Sequence, residues 1–260
     1  GYRHVIAAAG TLFGLGGIYL LRTAENPREV AFALSSVAGI TMAATILYSV
    51  RALPEREDYR GRGATSAFKA FFDVLRNPHG RLLFLVYGIE TLGAASIGLL
   101  APYVMQYVVD TPDLIEVFIV MYFIPQFAFT PMWIRLGKRF SKKNLWLFSM
   151  TVSTMGYFSI FFLRDSSLSL LFCVIFLLGL GGGCGSVIAP SIQADVIDYD
   201  EYQTGERKEG AYFSAWNFVF KSAYGVTLML TGYVLQLSGF EPNVEQSDQV
   251  KFALRCLYGA

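Results

Sequence analysis

Seven stretches of apolar residues dominate this chain: Val5 to Leu21, Val30 to Val50, Leu82 to Val109, Val117 to Ile134, Asn144 to Leu163, Ser166 to Ala194 and Gly210 to Phe240. An eighth opens at Phe252 and runs to Ala260. About 20 residues at a rise of roughly 1.5 Å each span the hydrocarbon core of a bilayer, so each stretch predicts a transmembrane helix. Hydrocarbon offers no hydrogen-bonding partner to a backbone amide, and a helix satisfies all of its own. The expected fold class is therefore all-α, a polytopic transmembrane helical bundle. Only Glu90 and Lys221 place an ionisable group inside a span.

The polar segments between spans alternate in charge. Arg51, Arg56, Arg60, Arg62, Lys69, Arg76 and Arg81 follow the second span; Arg135, Lys138, Arg139, Lys142 and Lys143 follow the fourth; Arg207 and Lys208 precede the seventh. The intervening segments, Arg22 to Glu29, Asp110 to Glu116, Arg164 to Asp165 and Ser238 to Val250, are acidic or nearly neutral. An excess of Lys and Arg marks the cytoplasmic side, so the first set is expected inside and the second outside. The connector between the second and third spans is long and polar, with Gly61, Arg62 and Gly63 ahead of an amphipathic segment from Ala67 to Leu75. It predicts a linker between two bundles.

Composition agrees. The chain is 54% hydrophobic and 16% charged, against roughly a quarter charged in a soluble domain, and its net charge is +1. No basic patch points to nucleic acid. Cys173, Cys184 and Cys256 lie apart within apolar runs, without metal-ligand spacing or the density of a disulfide scaffold. His4 and His79 are isolated near span ends, no nucleophile lies beside a base, and no phosphate-cradling loop is present. No catalytic residue or metal site is expected, and the protein is read as a non-enzyme. The chain opens without Met or a basic leader and ends inside an apolar segment, so further sequence is expected at both ends.

Lys221 is the most informative residue, because an ammonium at the middle of a membrane helix is costly unless it meets a cavity or a partner. At about 100° per residue, Phe213, Trp216, Asn217, Phe220, Lys221 and Tyr224 share an arc of roughly 140°. Aromatic faces beside a cation and an amide suit a sugar or polyol, whose C–H faces stack while its hydroxyls need fixed donors and acceptors. Lys221 could instead form a structural ion pair with Glu90, and the aromatics could simply pack. Glu90 could be a proton or cation group or only that counter-ion. At the expected cytoplasmic mouth, Asp195 and Asp198 lie three residues apart on one helix face, where they could pair with the basic loop 135–143 and latch the inner side shut. Gly179, Gly181, Gly182, Gly183 and Gly185 allow close helix approach or a local unwinding.

Three segments carry a family resemblance. ADVIDYDEY, with Arg207 after it and Lys221 placed 22 residues beyond Tyr199, is similar to the loop before the eleventh helix and the lysine within it in the glycoside-pentoside-hexuronide:cation symporters of the major facilitator superfamily. Melibiose permease is the familiar member. GFEPNVEQSDQ, residues 239–249, resembles the outer loop before the last helix, and KRFSKKNLW, residues 138–146, the basic loop between helices eight and nine. The resemblance covers the whole chain, from helix five to early helix twelve. It implies two last helices of an N-terminal bundle at 1–52, a central cytoplasmic linker at 53–80 and a C-terminal six-helix bundle at 81–260.

The resemblance also implies a substrate wall that includes Lys221, Trp216, Asn217 and Phe220, and a cytoplasmic gate that includes Asp195, Arg207 and Lys142, with Asp198 and Arg139 beside it. Tyr224 and Glu90 join the wall as candidates from their positions. Ser186 occupies the place of the ligand-contacting tryptophan of helix ten, which weighs against a galactoside-like substrate. The expected activity is cation-coupled symport of a sugar, glycoside or similar polar solute by alternating access. No organic cofactor is expected. A coupling Na+ or H+ is, bound mostly outside this chain because the family's cation-binding carboxylates belong to helices two and four. The expected setting is the bacterial inner membrane, as a monomer among lipids without nucleic acid. A lysolipid symporter, and a non-transporting sensor or enzyme, are the alternatives.

Overall fold

The computed structural model describes residues 2–53, 66–162, 168–242 and 244–259. Within them lie ten helices: α1 Tyr2–Thr23, α2 Pro27–Ala52, α3 Ala67–Arg76, α4 Pro78–Tyr107, α5 Ile115–Ala128, α6 Thr130–Gly137, α7 Lys142–Ile160, α8 Leu168–Thr204, α9 Glu209–Ser238 and α10 Asp248–Gly259. A 3-10 turn, Pro112–Leu114, leads into α5. Arg56, Arg60, Gly61, Arg62 and Gly63 of the connector, and Arg164 and Asp165, lie outside the described residues.

Local chemistry sets the helix ends. Pro27 and Pro78 open α2 and α4, where a missing N–H leaves no intrahelical bond unmade. The Asn77 side chain caps α4 by accepting from the His79 N–H at 3.0 Å. Gly239, at φ 78°, closes α9 in the left-handed conformation that favours glycine. The expected fourth span is broken: α5 stops at Ala128 and α6 starts at Thr130. Pro131 cannot donate to a carbonyl one turn back and its ring crowds that carbonyl, which accounts for the break.

Among the described residues, five helical stretches are long and apolar enough to cross a membrane: 27–52, 78–107, 112–137, 168–204 and 209–238. Helices α1 and α7 run through the other two complete spans expected from the sequence. The chain divides into two compact units, 1–63 and 64–260. In the first, α1 packs on α2, with Gly17 against Leu34.

In the second unit α8 is central, packed against α4, α5, α6 and α7, while α4 also packs on α9 and α10. One core cluster gathers Leu100, Val104, Phe118, Ile160, Leu171 and Leu254; a second, at the basic end, gathers Leu83, Trp133, Trp146, Cys184 and Ile188. Large apolar side chains also cover the outside: Leu82, Leu85, Ile89, Phe148, Met155, Phe158 and Leu228 are all exposed. A surface as apolar as the core suits hydrocarbon, not water. The buried Thr91, Thr130 and Thr227 hydroxyls donate one turn back along the chain, to the carbonyls of Tyr87, Gln126 and Ala223.

The glycines of α8 serve close approach. A Cβ at Gly179 would overlap the Tyr122 carbonyl oxygen, and one at Gly183 would fall 2.8 Å from the Gln126 carbonyl oxygen. The alternative of a local unwinding is not realised, since α8 is helical throughout Leu168–Thr204. Part of the expected linker also folds onto the second unit. Helix α3 packs on α4 and α9, burying Val74 and setting Phe71 edge-on to Phe218 at 5.8 Å. Asn77 then donates to the Tyr212 hydroxyl at 2.7 Å, tying the end of α3 to α9.

Candidate functional site

Twelve residues into α4, Glu90 sits at mid-helix among α4, α7 and α8. Trp146, in the second turn of α7, donates its indole N–H to Glu90 Oε2 at 2.9 Å. Gly185 of α8 makes room for the carboxylate: a Cβ there would overlap Glu90 Oε1. No hydrogen bond reaches Oε1 among the described residues. The structure thus fixes one oxygen of a half-buried carboxylate and leaves the other free.

Glu90 lines two cavities. The first, of about 580 Å³, is also bordered by Thr91, Gln126, Ser186, Trp216, Phe220 and Tyr224. The Trp216 ring lies flat on Tyr87, centroids 3.6 Å apart, and Phe220 tilts against Tyr224 at 4.8 Å. A wall of aromatic faces with a few polar groups is the usual make-up of a small-molecule site, and the volume falls within the usual range of roughly 300–1,000 Å³. The second cavity, of about 510 Å³, shares Glu90, Ala94, Tyr122 and Gly182, and aliphatic residues such as Leu92, Leu178, Leu230 and Val234 supply most of its lining.

The structure divides the sequence-predicted wall. Trp216, Phe220, Tyr224, Glu90 and Ser186 line the first cavity. Lys221 and Asn217 do not: both are exposed, and the Asn217 amide donates to the Phe213 carbonyl of its own helix. Measured from Trp216, Phe220 and Tyr224 lie roughly 40° and 80° around α9, while Asn217 and Lys221 lie at roughly 100° and 140°, past the rim. No ion pair joins Lys221 to Glu90 among the described residues, and the counter-ion alternative loses its geometry. Lys221 is held at mid-helix on the side of α9 away from its packing stripe of Tyr212, Ala215, Ala223 and Thr227.

At the basic end, the Lys142 ammonium pairs with Asp195 at 2.6 Å and reaches the Ser191 carbonyl at 3.4 Å. Lys142 opens α7, where the helix dipole disfavours a cation, and the Asp195 carboxylate offsets that. Arg207 pairs with Glu209 at 2.5 Å and with Glu201 at 3.9 Å. Asp198 and Arg139 are exposed, and no ion pair joins them among the described residues.

Some features escaped the sequence reading. The Trp146 bond to Glu90 joins positions 56 residues apart, and no local pattern announces it. Lys208, 7% exposed at its side chain, is buried in the turn before α9 against Asp200 at 3.4 Å and Glu206 at 3.3 Å. Burial alone would lower the pKa of this ammonium, but Glu206 and Asp200 outweigh it and hold the group above the ordinary lysine value.

The family model described as MFS/sugar transport protein matches residues 1–260, and the chain belongs to that family. It is 27% identical over 152 residues to the glucuronide carrier protein homolog of Escherichia coli (strain K12), covering 58% of this chain and 33% of the relative. It is 28% identical over 198 residues to a protein of the same organism provisionally named a sulfoquinovose importer, covering 74% and 41%. It is 28% identical over 123 residues to the uncharacterized symporter YjmB of Bacillus subtilis (strain 168), covering 47% and 27%. The chain thus spans less than half the length of these relatives. Membership of a transporter family sets it apart from enzymes and makes it a multi-pass membrane protein, of the same kind as the glycoside-pentoside-hexuronide symporters.

Proposed function

We propose that the complete protein is a secondary active transporter of the bacterial inner membrane that carries a sugar, glycoside or similar polar solute together with Na+ or H+, by alternating access. The observation that carries this reading is the first cavity, where Trp216, Phe220 and Tyr224 offer ring faces beside Glu90, Thr91 and Ser186. Such a wall binds reversibly without covalent chemistry. Lys221, exposed at mid-helix past the edge of this wall, is available to a facing bundle. Uptake of labelled sugars and lysolipids into vesicles bearing the complete protein, under separate Na+ and H+ gradients, tests the reading. Gradient-driven uptake of a sugar supports it, and uptake of lysolipid alone would replace it. The aliphatic second cavity is the feature that favours that second outcome.

In this reading Lys142 and Asp195 close the cytoplasmic side in one state and part in the other. Side-chain exposures of 33% and 60% place the pair where an ion pair contributes about 0–1 kcal/mol, weak enough to break in each cycle. Asp195→Lys is expected to slow uptake about fivefold, the rate equivalent of that upper bound, and Lys142→Asp in the same protein should restore part of it. Initial rates at matched expression measure this, and absence of rescue in the swapped pair would remove the latch.

A further inference from the structure

Several polar groups of the first cavity are arranged to accept. Thr91 Oγ1 gives its proton to the Tyr87 carbonyl at 2.7 Å, and Ser186 Oγ gives its proton to the Gly183 carbonyl at 2.9 Å. Each hydroxyl therefore turns lone pairs toward other partners. Pro190, without an N–H, leaves the Ser186 carbonyl without its donor one turn on. Glu90 adds Oε1, the oxygen that Trp146 does not engage. Beneath the same wall, the Gln126 side-chain oxygen is buried with no hydrogen-bond partner. The Tyr87, Tyr122 and Tyr224 hydroxyls can act either way, and the Gln126 amide nitrogen can donate.

Among the described residues, no Lys, Arg or His lines this cavity. A carboxylate or sulfonate brought against Glu90 would face a like charge with no cation among the lining residues, whereas hydroxyl or ammonium donors would satisfy oxygens that otherwise go unpaired. Among the described residues no group of three or more His, Cys, Asp or Glu could hold a metal.

Resting on the transport reading, we propose that this wall takes the uncharged, hydroxyl-bearing face of a neutral or amino sugar, with Glu90 Oε1 as the principal acceptor, and so disfavours acidic sugars. Trp146 is a positioning residue, holding the carboxylate so that one oxygen stays free, and Gly185 is the clearance that lets it stand there.

The test is uptake by the complete protein of three probes on one skeleton: methyl glucoside, glucosamine and methyl glucuronide. The intact protein should take up the first two with a KM at least about tenfold below that of the third, the effect expected for one charge-assisted hydrogen bond gained or opposed. Glu90→Gln should raise KM for methyl glucoside about tenfold and bring the three probes within about threefold of one another. Gly185→Ala keeps the carboxylate but displaces it, and should raise KM for methyl glucoside while preserving discrimination against the glucuronide. This second variant decides the matter should Glu90→Gln fail to reach the membrane.

A glucuronide taken up as well as the glucoside by the intact protein overturns the assignment. So does a Glu90→Gln protein whose probe ratios are unchanged. Loss of Na+ dependence with sugar KM unaltered would make Glu90 a cation ligand instead. If none of the probes, nor any other sugar, is taken up by correctly inserted protein, the transport reading itself fails and this assignment falls with it; uptake with unaltered selectivity removes the Glu90 assignment alone.

Discussion

Lys221→Ala in the complete protein is expected to reduce uptake to below about 1% of the parent while leaving expression, insertion and thermal stability unchanged. An ammonium near the centre of a membrane helix costs roughly 2.5–3.5 kcal/mol on insertion scales. Among the described residues nothing recovers that cost, since Lys221 is exposed and no ion pair joins it there. Removing it should therefore not destabilise the bundle, and a loss of transport would report a contact made during the cycle. Lys221→Arg keeps the charge but replaces a compact ammonium with a planar fork, and should restore little. Initial-rate uptake beside detergent thermal melts separates the two effects. Parent-like kinetics in Lys221→Ala would strike this residue from the site.

The second large effect is structural. Gly179→Ala should lower the melting temperature of the bundle by about 5–10 °C, from an overpacking cost of roughly 1–3 kcal/mol or somewhat more at about 2–4 °C per kcal/mol. The new Cβ would overlap the Tyr122 carbonyl oxygen and sit 2.8 Å from Pro125 Cγ, and neither backbone nor a proline ring can swing aside. Gly225→Ala is the matched control. Its Cβ would meet nothing within 4 Å, and alanine favours a helix over glycine by about 1 kcal/mol, so no loss is expected. Equal melting of Gly179→Ala and parent would show that α5 and α8 can part at no cost.

Much of the architecture was legible because the bilayer imposes a length and a polarity on each span. The α3 segment was legible from its own amphipathic spacing, whereas its attachment through Asn77 and Tyr212 was not, because that bond joins residues 135 apart. Both Pro125 and Pro131 lie within the fourth apolar stretch, and hydropathy does not tell which of them ends the helix. The aromatic arc on α9 shows the limit most clearly. Periodicity gathers Trp216, Phe220, Lys221 and Tyr224 on one side, but only the neighbouring helices decide where the cavity wall stops, and it stops between Tyr224 and Asn217. Glu90 stood out as a charge within a span. Its partner Trp146 did not, since it sat within a segment noted only for its basic charge.

Helix α8 runs unbroken for 37 residues, roughly 55 Å against a hydrocarbon core of about 30 Å. It borders the sugar-sized cavity at Gly185 and Ser186, and ten residues further along, roughly 15 Å away, it bears Asp195. A single rod thus connects the two places, softened only where Pro190 omits one backbone bond. Whatever tilts it at one end is felt at the other, so occupancy of the interior and the grip of Lys142 on the rim share one mechanical part, with no relay of side chains needed between them.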